Sequence, residues 1–245
     1  MTSAADFVGL ASAVSVLAGG RPKSTALRLV HSTRSGVSAY PNAYLSTDEL
    51  PRRSVVKRGL CLLAAAGISY LGLVILALTF LSTEYSPVTQ FASDYGVGTY
   101  AFWMNSGFLF AGIGVLSLGA VLVISAGGRA EKAGGALLLP GGVCLVLGSF
   151  FATDIEGAAQ TFHGLVHGLA GVGFFLTASV GLLLVSSAFG RGRFLLTLAA
   201  FVAAAAVLAL NSSLGLDATG LTERVAILVI FSTAILTSLR TFGQS

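Results

Sequence analysis

The stretch GLCLLAAAGISYLGLVILALTFLS, residues 59–82, decides the fold class. It contains no charged side chain, and as a helix it is long enough to cross about 30 Å of hydrocarbon. The whole chain of 245 residues has the same character, because 55% of its residues are hydrophobic and only 10% are charged. Soluble domains carry roughly 25% charged residues, so this composition excludes an ordinary soluble core and favours a membrane protein.

Five further apolar runs follow the first one. They cover residues 99–126, 133–151, 163–189, 194–210 and 225–239. Runs of this length and polarity predict membrane-crossing helices. The sequence therefore predicts an all-α fold, a polytopic membrane helix bundle with six transmembrane helices.

The charges between the runs alternate in sign along the chain. Lysine and arginine collect before the first run, between the second and third, between the fourth and fifth, and after the sixth. The other three loops carry carboxylates, and Arg224 is their single base. Positive charge near span ends marks the cytoplasmic side, so both termini are predicted to be cytoplasmic, with the protein in the cell membrane. Residues 59–241 form the predicted membrane domain. Residues 1–58 form a cytoplasmic tail, largely disordered or surface-lying, and residues 242–245 form a C-terminal tail.

Two histidines lie close together in FFATDIEGAAQTFHGLVHGLAG, residues 150–171. His163 and His167 are four positions apart, so on a helix they share one face and are spaced to bind one metal ion. Asp154 or Glu156 would supply a third ligand to a divalent metal such as zinc. The alternative is that both imidazoles satisfy backbone groups or waters inside the bundle. Their neighbours Gly164 and Gly168 are predicted to let another helix pack closely.

Asp94 and Arg224 lie in the other two acidic loops. Asp94 either faces the same region as Asp154 or caps the second membrane helix. Arg224 either pairs with a carboxylate or holds an anionic headgroup by a forked contact. Thr219 or Thr222 is predicted to cap the sixth helix, with Glu223 in its first turn. The predicted binding residues are therefore Asp94, Asp154, His163, His167 and Arg224.

Four motifs occur in order along the chain: SPVTQFASDYGVG, FFATD, HGLVHGLAG and GLTERVAILVIF. Together they resemble a six-helix, mainly prokaryotic membrane family catalogued as a domain of unknown function, number nine hundred and ninety-eight. The resemblance covers about residues 59–241 and departs from the family at Ala152, where proline is expected, and in the long N-terminal tail. It implies the fold and a polar motif of Asp154, His163, His167 and Arg224, without an activity.

The sequence is compatible with three alternative functions. The favoured one is binding or transport of a lipid or small amphiphile through a polar site at the extracytoplasmic face. The first alternative is a metal-dependent membrane hydrolase acting on a lipid, with the metal on His163, His167 and Asp154 and with Glu156 or Asp94 as base. The second is a structural or assembly subunit of a membrane complex. Membrane lipid is the expected partner. No nucleotide is expected, because the chain has no phosphate-cradling glycine motif, and no nucleic acid, because the basic residues belong to the cytoplasmic loops.

Overall fold

Six long helices make up most of the computed structural model, which describes residues 49–155 and 158–244, without the side chains of residues 49–53, 208 and 212. They are α1, Glu49–Leu81; α2, Ala101–Ser125; α3, Arg129–Phe150; α4, Phe162–Ala188; α5, Arg191–Ser213; and α6, Thr219–Gly243. Two short 3₁₀ helices, Ala92–Gly96 and Gly98–Tyr100, lie between α1 and α2. The described residues contain no strand, so the predicted all-α fold with six helices is confirmed.

Each of the six helices is long and apolar enough to cross a membrane. Large apolar side chains lie on the outside of the bundle, among them Phe80, Phe102 and Ile124, which are 80%, 74% and 76% exposed. So much apolar surface is unfavourable in water but suits a lipid environment. The chain is therefore a multi-pass membrane protein. Residues 1–48 of the predicted tail lie outside the described residues, and α1 begins at Glu49, within that predicted tail.

Glycine allows consecutive helices to pack closely. A Cβ atom on Gly112 of α2 would lie 2.9 Å from the carbonyl oxygen of Gly142 in α3. Likewise, a Cβ on Gly134 of α3 would lie 2.5 Å from the carbonyl oxygen of Gly181 in α4. Both distances are shorter than ordinary contacts, so these backbones approach to a separation that only glycine permits.

The connections divide the bundle into two ends. Short links at residues 126–128 and 189–190 join α2 to α3 and α4 to α5, and such short links place consecutive helices antiparallel. The other three connections, residues 82–100, 151–161 and 214–218, therefore lie together at the opposite end. We call this the acidic end, because it carries the carboxylate-bearing loops.

The fifth helix is the least buried of the six. Helices α1 to α4 pack in sequence and α6 packs against α1, whereas α5 contacts mainly α4 and α6. This looser packing leaves a space between α4, α5 and α6. That space forms a cavity lined by residues of all three helices.

Candidate functional site

The cavity between α4, α5 and α6 has a volume of about 730 Å³. Its wall is largely aromatic and aliphatic, and includes Phe174, Phe175, Phe201, Ile227, Ile230 and Phe231. Most of its polar groups come from the loops or from the helix turns nearest the acidic end, namely Ser93, Thr153, His167, Thr219, Thr222 and Glu223. The cavity therefore has an apolar body and one polar end.

The cavity is also long. Its α4 wall runs from His167 to Val180, a distance of about 20 Å at the rise of 1.5 Å per residue of an α-helix. Half the hydrocarbon thickness of a bilayer is about 15 Å. The α4 wall of the cavity is therefore longer than half the hydrocarbon of a bilayer is thick.

The loop between α1 and α2 is bound along the first two turns of α6 by four hydrogen bonds. Leu221 N donates to Val88 O at 2.9 Å, the Thr219 hydroxyl donates to Thr89 O, Arg224 Nη1 donates to Gln90 O at 2.8 Å, and Ala92 N donates to Glu223 Oε2 at 2.5 Å. Gly220 makes this approach possible, because a Cβ there would lie 2.7 Å from the carbonyl carbon of Gln90. The loop and α6 thus form one unit at the acidic end.

Glu223 places a carboxylate in the cavity wall. Oε2 accepts the hydrogen bond from Ala92 N, whereas Oε1 accepts none from any residue that the structure describes. An ionisable group within a membrane-spanning helix is expensive to keep, and such groups generally serve a function. The sequence placed Glu223 in the first turn of the sixth helix, but outside the apolar run 225–239, and Glu223 was not among the predicted binding residues. The feature of the sequence that indicates this role is an acidic residue within one helical turn of a long apolar run.

The predicted caps of α6 are wrong. The residue before its first turn is Ala218, and no side chain caps the helix there. The hydroxyls of Thr219 and Thr222 instead donate to backbone carbonyls, those of Thr89 and Ala218 respectively. Both hydroxyl protons are therefore committed, and both residues line the cavity.

Arg224 is turned towards the loop rather than the cavity. Its Nη1 donates to the carbonyls of Gln90 and Gly220, at 2.8 and 3.0 Å. Its guanidinium carbon lies 5.6 Å from the centre of the Tyr95 ring, a distance at which a cation and an aromatic face attract each other. Nε and Nη2 are buried and have no hydrogen-bond partner among the described residues. The hydrogen bonds of Arg224 thus go to backbone carbonyls, whereas the sequence predicted that Arg224 would bind a carboxylate or an anionic headgroup.

Asp94 is buried in the 3₁₀ helix Ala92–Gly96. The alternative that it caps α2 is wrong, because the N-cap of α2 is Tyr100 and no side chain bonds to that helix end. Asp94 lines a small crevice together with Gln90 and Thr153. The crevice brings the α1–α2 loop against the segment that carries Asp154.

Tyr85 lines the same crevice. Its ring meets that of Tyr95 edge to face, with 5.7 Å between the ring centroids. Burial, followed by the carboxylates of Glu84 and Asp94, raises the pKa of the Tyr85 phenol above its ordinary value. Since that value is already about 10, the phenol stays neutral at physiological pH.

Asp154 holds the beginning of α4. Its carboxylate accepts hydrogen bonds from the backbone amide and the hydroxyl of Thr161, at 2.9 and 2.6 Å, and Thr161 in turn caps the amide of Gly164 at 3.1 Å. These two bonds from Thr161, and to a smaller extent the charge of His163, lower the pKa of Asp154 below its ordinary value. A carboxylate at this position also suits the positive end of the helix dipole.

The two histidines have different surroundings. His163 is exposed, and its ring lies 5.2 Å from that of Phe151. His167 is partly buried, lines the cavity, and lies with its Nδ1 2.8 Å from the carbonyl oxygen of Phe151. Its ring also meets that of Phe108 edge to face, at 5.8 Å. A carbonyl only accepts, so Nδ1 of His167 is the donor in this contact.

The predicted helix-packing ridge of Gly164 and Gly168 is wrong. Gly164 makes room for a carboxylate, because a Cβ there would lie 2.7 Å from Oδ1 of Asp154. A Cβ on Gly168 would meet nothing within 4 Å, and this residue lines the cavity. Neither glycine brings a neighbouring helix closer. Gly168 and the nearby Gly171 instead widen the cavity along α4.

The predicted metal ligands fall at the same end of the bundle. Asp154 and His163 lie together at the start of α4, while His167 turns towards the cavity. Within residues 49–155 and 158–244, no three His, Cys, Asp or Glu side chains are grouped as a metal site. Glu156, the other predicted third ligand or base, lies outside the described residues. The metal site stays a prediction.

The fold and this site define a class, the small multi-pass membrane proteins with an internal apolar cavity. A family model described as "Protein of unknown function (DUF998)" matches residues 63–240. The chain therefore belongs to the DUF998 family, as its motifs indicated. No curated protein and no solved structure matches the chain.

Proposed function

We propose that this protein binds a lipid or small amphiphile in the cavity between α4, α5 and α6. The observation that carries the proposal is an apolar cavity of about 730 Å³ whose polar groups collect at one end. Ligand sites typically enclose about 300–1,000 Å³ and combine an apolar lining with a few polar groups that orient the ligand. In the proposed orientation the polar end faces the extracytoplasmic side.

The two parts of the cavity suit the two parts of an amphiphile. The side chains of Phe174, Phe201 and Phe231 offer apolar surface to a hydrocarbon chain. His167 and Glu223, on facing helices at the polar end, offer hydrogen-bonding groups to a headgroup. A wholly apolar ligand would leave these polar groups without partners, which is unfavourable in a dry site.

A cavity-filling variant tests this proposal. Gly171 lines the cavity, and a Cβ there would meet nothing within 4 Å, so Gly171→Phe directs a ring towards the cavity from a position where the Cβ itself displaces no neighbour. Gly59→Phe is the matched control, because a Cβ at Gly59 also meets nothing within 4 Å and that residue does not line the cavity. Both variants and the wild type are reconstituted in phosphatidylcholine nanodiscs that contain a phosphatidylcholine with a diazirine on its acyl chain.

After illumination, the labelled peptides are identified by mass spectrometry. The expected result is labelling of the cavity-facing parts of α4 and α6 in the wild type and in Gly59→Phe, and loss of that labelling in Gly171→Phe. Thermal unfolding and size-exclusion profiles establish that all three proteins are folded. Equal labelling of α4 and α6 in the two variants would overturn the proposal.

A further inference from the structure

The polar end of the cavity presents hydrogen-bond acceptors. The hydroxyl protons of Thr219 and Thr222 are donated to the carbonyls of Thr89 and Ala218, which leaves their oxygens as acceptors. The Nδ1 proton of His167 is directed at the Phe151 carbonyl. In each case a donor is used by the protein itself, and the two threonine hydroxyls offer lone pairs to a ligand.

The charged groups of the cavity wall also favour a positively charged ligand. Glu223 is a carboxylate, and no lysine or arginine lines the cavity within the described residues. Arg224 follows Glu223 in the chain, but its Nη1 is held by the carbonyls of Gln90 and Gly220 and its guanidinium lies over Tyr95. Neighbouring residues on a helix do not face each other. The charge of Arg224 still acts on Glu223, but no cation lies beside the carboxylate in the described wall of the cavity.

We propose that the ligand is a single-chain amphiphile with an ammonium headgroup, which donates to Glu223 Oε1 and to the acceptor oxygens of Thr219 and Thr222. The inference deepens the proposed function, on which it rests. A primary ammonium has three donors and a positive charge, so it complements both the acceptors and the carboxylate. An anionic headgroup would instead face the like charge of Glu223.

Three probes with the same alkyl chain and a diazirine at the chain end test the headgroup. They are hexadecylamine, hexadecanol and hexadecanoic acid, each used at the same mole fraction in phosphatidylcholine nanodiscs. The expected order of cavity labelling in the wild type is amine, then alcohol, then acid. The amine is expected to label about tenfold more efficiently than the acid, which corresponds to about 1.4 kcal/mol.

Two variants test whether the preference for the amine probe depends on Glu223. Glu223→Gln removes the charge but keeps a carbonyl that accepts from Ala92 N, so labelling by the amine is expected to fall to the level of the alcohol. Asp217→Asn removes a charge from the same end of the bundle, at an exposed residue that does not line the cavity. It should leave the order of the three probes unchanged, which separates the cavity from the general charge of the surface.

The outcomes distinguish the inference from the function it rests on. If the acid labels the cavity as well as the amine does, or if Glu223→Gln keeps the preference for the amine, the ammonium proposal is overturned while the binding cavity stands. If none of the three probes labels the cavity and Gly171→Phe changes nothing, both proposals fail. The comparison of headgroups on the wild type needs no variant, so a poorly folded Glu223→Gln would still leave the inference open to refutation.

Discussion

Glu223 in α6 accepts a hydrogen bond of 2.5 Å from the backbone amide of Ala92, which lies 131 residues earlier in the chain. The bond joins the α1–α2 loop to the last helix and fixes one oxygen of the carboxylate. The other oxygen accepts no hydrogen bond from the described residues, and Glu223 lines the cavity. One side chain therefore holds the loop in place and supplies the acidic group of the proposed binding site.

This double role predicts different effects of two substitutions. Ala92 is fully buried, so Glu223→Ala leaves its amide without a partner and should lower the free energy of unfolding by about 1–3 kcal/mol. Glu223→Gln retains an acceptor and should lower it much less. Denaturant unfolding in a fixed detergent, followed by circular dichroism, measures both. Equal losses in the two variants would show that the charge, rather than the hydrogen bond to Ala92, stabilises the loop.

The overall fold was predictable because it depends on features that the sequence displays directly. Each membrane helix needs an apolar run long enough to cross the hydrocarbon, and such runs need no knowledge of their neighbours. The sixth run shows the limit of this reasoning. Its apolar stretch begins at residue 225, but the helix begins at Thr219, and the additional turns contain Glu223.

The contacts of the site were not predictable from residue types. The α1–α2 loop binds α6 largely through its backbone, at the carbonyls of Thr89 and Gln90 and the amide of Ala92. Every residue has these groups, so no side-chain pattern marks them. Asp94 and Arg224 were predicted as binding residues from their place in the acidic loops, but their surroundings depend on a pairing of segments about 130 residues apart.

The two histidines are predicted to differ in their effect on stability. His167→Ala removes the contact with the Phe151 carbonyl and the packing against Phe108, with an expected loss of about 1–3 kcal/mol. His163→Ala removes an exposed ring and should change stability by less than about 0.5 kcal/mol. Thermal unfolding and zinc content are measured on the same preparations. Stoichiometric zinc that is lost equally from both variants would instead favour the shared metal site and the hydrolase hypothesis.

Asp154 predicts a stability change in acid. Hydrogen bonds from Thr161 lower its pKa in the folded protein, so the carboxylate contributes stability at pH values above its unfolded pKa, about 3.9. That contribution is lost as the pH falls through the lower, folded pKa. The difference in unfolding temperature between the wild type and Asp154→Asn should therefore be constant from pH 7 to about pH 5 and shrink below about pH 4.

Thr161→Val is the matched control for this effect. It removes the hydroxyl that donates to Asp154 but keeps the backbone amide. The difference in unfolding temperature between the wild type and Thr161→Val should therefore also shrink below about pH 4, but by a smaller amount. If the difference in unfolding temperature between the wild type and Asp154→Asn did not change with pH, ionisation of Asp154 would not stabilise the start of α4.

Two glycines on the same helix are predicted to respond oppositely to alanine. A Cβ on Gly181 would lie 2.9 Å from the carbonyl oxygen of Gly134 in α3, so Gly181→Ala forces α3 and α4 apart and should destabilise the protein by about 1–3 kcal/mol. A Cβ on Gly171 meets nothing within 4 Å, and alanine favours the helix. Gly171→Ala should therefore keep or slightly raise the unfolding temperature. Similar losses in both variants would contradict the close packing of α3 and α4.

The orientation of the bundle is predicted from its charges, and single cysteines test it. Cys61 and Cys144 both lie within helices, so they are first replaced by alanine. Asp217→Cys places a thiol in the last acidic loop, and Gly127→Cys places one in the basic link between α2 and α3, where the backbone is exposed and a Cβ meets nothing within 4 Å. Arg129 and Lys132 follow that link at the start of α3, which marks it as cytoplasmic.

With a membrane-impermeant maleimide, intact cells should label the cysteine at position 217 but not the one at position 127, and lysed cells should label both. The reverse pattern would place the acidic end in the cytoplasm. The polar end of the cavity would then open towards the cytoplasmic leaflet, where anionic lipids are concentrated. An acidic cavity mouth would favour ammonium amphiphiles on either side, so this result would change where the ligand is taken up without changing its predicted chemistry.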